Sequence, residues 1–264
     1  MSDYFKRRRE AAESKVLGKT FVSRSFGEYK VIEYKNSCEV LVEFTATGFR
    51  KWCEAKCAIQ GAVKDSTLPS VYGVGFLGEG EYTARFKGGG NTPCYDSWRG
   101  ILRRCYSEKH QKDHPTYNGC TVDQKWHNYQ NFAAWYYENL IYTEGRVEVD
   151  KDLLVKGNKI YGEDFCSLVP THVNALFTGA GKIHRGKYPL GVYYKKDVSK
   201  FRAQLHKGGN SQEFLGDYDT PEEAFAVYKK HKEAFVKETV LKYKDKISDK
   251  LFNTLMSYSV SIND

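Results

Sequence analysis

Two stretches of this 264-residue chain carry residue types and spacings that could do chemistry. In KFRAQLH, the two-residue period of a strand puts Phe201, Ala203 and Leu205 on one face and Lys200, Arg202, Gln204 and His206 on the other. Arg and Gln donors suit the guanine and adenine edges that face a major groove, and Lys195, Lys196 and Lys207 stand nearby for phosphates. The second stretch reads as a strand RVEVDKD, a turn KGNKIYGED, a strand FCSLVP and a short helix THVNALF, with Asp150, Lys151 and Asp152 clustered at the end of the first strand. A ββα metal-dependent nuclease needs that order: a metal ligand and general base ending the first strand, an Asn holding the loop, and a second ligand on the helix. The plainer readings are an ordinary solvated sheet face for the first stretch, and a solvated charge cluster or phosphate contact for the second.

Other patterns carry less. Gly73, Gly75, Gly78 and Gly80 are not followed by a helix opening on Lys-Ser/Thr, so they do not read as a phosphate loop. Cys53 and Cys57 have no second Cys/His pair at zinc spacing, and seven scattered cysteines read as reduced thiols rather than a disulfide framework. The net charge is +8, and residues 182–264 hold 16 basic against 11 acidic side chains, an excess that steers toward polyanions. No apolar run approaches a membrane span, and the basic start MSDYFKRRREAAESK has no apolar segment behind it, so the expectation is a chain that stays in the cell that makes it.

The elements that must position these residues define an α+β, multi-domain chain. Residues 1–18 form a basic flexible leader in which Arg7, Arg8 and Arg9 suit phosphates. Short strands in 19–60, with turn residues at Gly27, Asn36 and Gly48, predict a small antiparallel β-barrel. Residues 61–91, ending Gly88-Gly89-Gly90, predict an irregular connector. The module over 92–181 opens with a helix whose buried stripe is Trp98, Ile101, Leu102 and Cys105, continues with a second striped by Phe132, Trp135, Tyr136 and Leu140, and ends in the ββα stretch. Over 182–264, three strands precede Thr220-Pro221-Glu222-Glu223, the N-cap, first-turn proline and acids of one long helix that packs on the sheet through Ala224, Val227, Tyr228 and Phe235.

The run from Trp98 through Cys105-Tyr106, then Cys120-Thr121-Val122 to Trp126, then Asp150-Lys151-Asp152 through Asn174, resembles phage-encoded HNH homing-endonuclease-type proteins. The resemblance implies a divalent cation, Mg²⁺ or Mn²⁺, on Asp150 and Asn174, with a catalytic site of Asp150, Lys151 and Asn174. Lys151 stands where that family has its general-base His, and Phe165 where it has the structural Asn of the second strand. A lysine flanked by Asp150 and Asp152 stays protonated near neutral pH and is a poor base, which leaves His127, His172 or His184 to serve. Residues 188–243, with Gly191, Ala203, Leu215-Gly216 and Thr220–Ala224 in its pattern, resemble the sheet-plus-helix APETALA/ethylene-response-factor DNA-binding domain.

Two readings follow. One is a metal-dependent DNA endonuclease with a degenerate active site. The other is a non-catalytic derivative that binds DNA or a host protein, for gene regulation or to block host defence. The expected partner is DNA, or a host protein on the second reading, with no membrane, a place in the cytoplasm of a bacterial host, and room for a homo-oligomer.

Overall fold

The computed structural model describes residues 2–141, 145–177, 187–208 and 211–263. It is a mixed α and β chain with several sheets, none a closed barrel, and it divides into two compact units: Met1–Glu108 with Gln124–Ala133, and Lys109–Asp123 with Ala134–Asp264.

The first unit begins, where a flexible leader is expected, with helix α1 (Ser2–Glu13), followed by a four-stranded antiparallel meander, β1 (Thr20–Ser23), β2 (Gly27–Asn36), β3 (Glu39–Phe44) and β4 (Arg50–Cys53). Alternation fixes its inner face: Tyr29, Val31, Val40, Val42 and Phe44 are buried with Val16, Ala58 and Val63. The expected closed barrel is corrected here, because β1 and β4 are the two edges and do not pair. Helix α2 (Ala55–Ile59) leaves the end of β4, and the chain after it bonds to β1 instead: Arg24 N–H donates to Gly61 O at 3.0 Å and Ser23 Oγ to Val63 O at 2.7 Å. Gly61, at φ +64°, lies so close to Val22 O that a Cβ would stand 2.4 Å from it. Helix and turn thus fill the gap a fifth pairing would close, and Tyr29 seals it by donating to Ala58 O at 2.7 Å.

Helix α3 (Pro93–Tyr106) starts at Thr92, whose hydroxyl accepts from Tyr95 N, and buries Trp98, Ile101, Leu102 and Cys105 as its spacing predicts. The glycine-rich segment before it packs closely. A Cβ on Gly75 would meet Leu102 and the Trp98 ring within 3 Å, and Gln130 holds the strand of loop through Leu77 O, Tyr82 O and Tyr82 N.

After α4 (Glu108–Asp113), β5 (Thr121–Val122) and α5 (Tyr129–Glu138) comes the stretch expected to be ββα. Strand β6 (Val147–Asp150) pairs antiparallel with β8 (Ser167–Pro170), and helix α6 (Thr171–Asn174) follows directly. Between them β7 (Ile160–Tyr161) pairs parallel with β5. The C-terminal part has a sheet in the order β11 (Ser211–Tyr218), β10 (Lys200–Gly208), β9 (Val192–Lys195), then α7 (Pro221–Leu241) and α8 (Asp249–Met256). Thr220 and Glu223 make a reciprocal capping box at the start of α7, behind Pro221.

Helix α7 serves two cores. Its first turns carry Ala224, Phe225 and Tyr228 against Val192, Ala203, Leu205 and Val260. Its last turns carry Val236 and Val240 against Val169, Val173, Leu176, Leu251 and Leu255. The ββα module and the three-stranded sheet therefore share one spine.

Lys232 lies on that spine between the two cores. It is 7 % exposed, and among the described residues its ammonium has no hydrogen-bond or ion-pair partner. Burial pushes its pKa below the ordinary lysine value. Since the folded state gives up this proton at lower pH than the unfolded chain, stability rises with pH through the alkaline range up to the unfolded value near 10.5. Lys232→Met is expected to add about 1–3 kcal/mol at pH 7, and its advantage over wild type should narrow as urea unfolding is repeated toward pH 10. A constant advantage across that range would remove the burial penalty as its cause.

Candidate functional site

At the ββα stretch, Asp150 ends β6 and turns back on the loop: its Oδ1 accepts the N–H groups of Asp152 at 2.7 Å and Leu153 at 2.8 Å. Burial pushes its carboxyl above the ordinary carboxylate range, against those two bonds, which pull it down. Lys151 is buried, and its Nζ donates to Asp152 Oδ2 and to Asn158 O, both at 2.7 Å. Asn158 completes the clamp by donating to Lys151 O and Ile160 O while its Oδ1 accepts from Ile160 N. Asn158 thus holds this loop, whereas Phe165 packs near Gly162 and Asp123 at the far end of the loop.

Asn174, on α6, donates to Glu148 Oε2 at 2.9 Å. Glu148 and Asp150 are two apart on β6 and so share a face; Ser167 and Val169 are their register partners on the same face. Glu148, Asp150 and Ser167 thus lie on one face of the hairpin, and Asn174 meets that face at Glu148. Glu148 and Asn158 are participants the sequence reading passed over. The E-V-D spacing was the signal for Glu148, and the Gly157-Asn158 turn for Asn158. Hard oxygen donors of this kind fit Mg²⁺ or Mn²⁺; Asp150 Oδ2, Glu148 and Asn174 are the groups that would hold one.

Two of the three histidines named as alternative bases have defined settings. His127 meets the Tyr106 hydroxyl at 3.4 Å in the first unit. His172 shares a hydrogen bond with the Tyr243 hydroxyl, and two residues along a helix point it some 200° from Asn174. His184 lies outside the described residues, as does most of the basic loop around it.

On the C-terminal sheet, Ala203 and Leu205 are buried against α7, and Lys200, Arg202, Gln204 and His206 alternate onto the other side. Each expected DNA contact has a defined setting. Lys195 pairs with Asp197 at 3.2 Å, Lys200 with Asp219 at 3.1 Å, and Arg202 with Asp217 at 2.7 Å. Gln204 donates to the Gln212 amide oxygen, His206 is exposed opposite Gln212, and Lys196 is exposed in the β9–β10 turn. Lys207 falls on the helix side, paired with Glu213 at 2.9 Å and lying 5.6 Å over the Phe235 ring. Two aromatics join the outer face: Tyr193, in register with Arg202, and Phe214, in register with Gln204 and 58 % exposed. Hydrogen bonds from Arg202 hold the Asp217 carboxyl below the ordinary carboxylate range.

No helix among the described residues is long and apolar enough to cross a membrane. All seven cysteines are free thiols. Comparison of the chain with protein-family models, with curated proteins and with solved structures finds no match.

Proposed function

We propose that the chain binds duplex DNA through the outer face of β9–β10–β11, and that its HNH-like ββα module is a scaffold rather than a working cleavage centre. The supporting observation is Lys151. The residue at the general-base position is buried, with its ammonium committed to Asp152 and Asn158 O. A buried side-chain nitrogen turned onto those two acceptors is not placed to draw a proton from an attacking water. The outer sheet face supplies the binding side of the reading: Arg202, Gln204 and His206 stand in a row with Tyr193 and Phe214. Because Lys195, Lys200 and Arg202 already face acids, the salt dependence of binding is expected to be shallow, with a log–log slope on the order of −3. The setting implied is the cytoplasm of a bacterial host.

A second reading, the metal-dependent endonuclease, is favoured by one observation, the shared strand face of Glu148 and Asp150 with Asn174 hydrogen-bonded to Glu148. A low-salt gel-shift and a plasmid-nicking assay with Mg²⁺ or Mn²⁺, each beside Asp150→Ala, decide between them. Retarded duplex with no nicking above the Asp150→Ala background is expected. Nicking that disappears in Asp150→Ala would install the endonuclease instead. An absence of both effects would move the assignment to a host-protein partner.

A further inference from the structure

Arg202 sits at the centre of the outer sheet face, flanked in register by Tyr193 on β9 and Asp217 on β11. Its Nε donates to Asp217 Oδ1 and its Nη2 to Asp217 Oδ2, both at 2.7 Å, so the carboxylate grips one edge of the guanidinium side-on. The guanidinium carbon lies over the Phe214 ring, 4.6 Å from its centroid. Arg202 is thus fixed in position and in plane, with side-chain exposures of 26 % for Arg202 and 20 % for Asp217.

A guanidinium has five N–H donors in a planar fork. Asp217 takes two of them, along the Nε–Nη2 edge. The Nη1–Nη2 edge remains, with parallel donors whose spacing matches O6 and N7 of guanine, and no other base offers two acceptors in the major groove. An unheld arginine would lose rotamer freedom on docking, whereas a clamped one has already lost it.

We propose that Asp217, with Phe214, is the positioning device that makes Arg202 a guanine reader. This rests on the DNA-binding reading above and adds to it the base recognised. It carries an unusual signature. Asp217 is an acid on a surface meant for a polyanion, so removing it should strengthen sequence-independent binding while weakening discrimination.

The test selects duplexes from a randomised library with the full chain, wild type and Asp217→Asn, and then titrates the selected site with its guanine intact, exchanged, or replaced by 7-deazaguanine. For wild type, exchanging the guanine should cost about 5- to 150-fold in affinity, and loss of N7 alone a smaller part of that. In Asp217→Asn both penalties should fall below about threefold, with random-duplex affinity equal or higher. Arg202→Lys, which keeps the charge without the fork, should behave like Asp217→Asn, and circular dichroism should report both variants folded. Asp217→Asn retaining the wild-type penalties would overturn the clamp, as would a wild-type selection with no fixed guanine or no response to 7-deazaguanine. Wild type failing to retard any duplex at low salt would instead overturn the DNA-binding reading beneath it.

Discussion

Lys151→Met is expected to lower stability by about 2–3 kcal/mol and leave nicking where wild type has it, at background. Methionine keeps the length of the buried stem and deletes only the ammonium's two bonds, to Asp152 Oδ2 and Asn158 O. A hydrogen bond from a charged group contributes about 1.5–3 kcal/mol, and the carbonyl left behind adds its own desolvation cost. Asp152→Asn removes the other end of the ion pair, but Asp152 is half exposed, so it should cost under about 1 kcal/mol. That asymmetry is the discriminating result: a strut is missed from the buried side. Denaturant unfolding reads the energies, and amide exchange across 150–162 should show the loop opening first in Lys151→Met. A Lys151→Met protein as stable as wild type, or one that loses a nicking activity wild type possesses, would return Lys151 to the chemistry.

Sequence alone makes this lysine look like a surface charge, because D-K-D is the composition of a solvated turn. Its burial depends on a loop fastened at a distance. Strand β7 pairs with β5, and Lys159 reaches back to Thr116 O and Asn118 O, contacts roughly forty residues apart in the chain. Patterns with a local period were legible for the opposite reason. The alternation of Phe201, Ala203 and Leu205, the stripe of α3 and the cap of α7 are written within a few residues, and the folded chain uses them as read. Partnerships set by register were not legible. Asp217 meets Arg202 because the β10–β11 ladder slips between Ala203 and Gln204, next to Gly216 at φ +129°. A one-residue shift there would turn the acid to the other face. The barrel failed to close for a related reason: whether edges pair depends on what else lies between them, here α2 and its exit turn.

The arrangement along α7 bears on function. The ββα core and the sheet core are packed on successive turns of one helix, so damage at the sheet's root should reach the outer face before it reaches the hairpin. Gly191 is that root. It stands at φ +76° just before β9, its carbonyl accepts from Gln204 N at 2.9 Å, and a Cβ there would lie 2.1 Å from the Tyr228 ring.

Gly191→Ala is accordingly expected to cost about 2–5 kcal/mol, the sum of a left-handed backbone without glycine and an overpacked helix contact. The methyl must push β9 off α7, and β9 carries Tyr193, while Gln204 loses the register of its own N–H. DNA affinity should therefore fall with stability, whereas Lys151→Met, acting at the other core, should leave DNA affinity near wild type. Tyr228→Leu on its own loses ring contacts, but it empties the space the new methyl needs. Gly191→Ala/Tyr228→Leu should then be less destabilised than the two single changes added together, by about 1 kcal/mol or more. Additive energies in that cycle would mean the clash is relieved elsewhere. Retained DNA binding in a destabilised Gly191→Ala would separate the outer face from the packing beneath it, and the sheet would no longer be the element that aims Arg202.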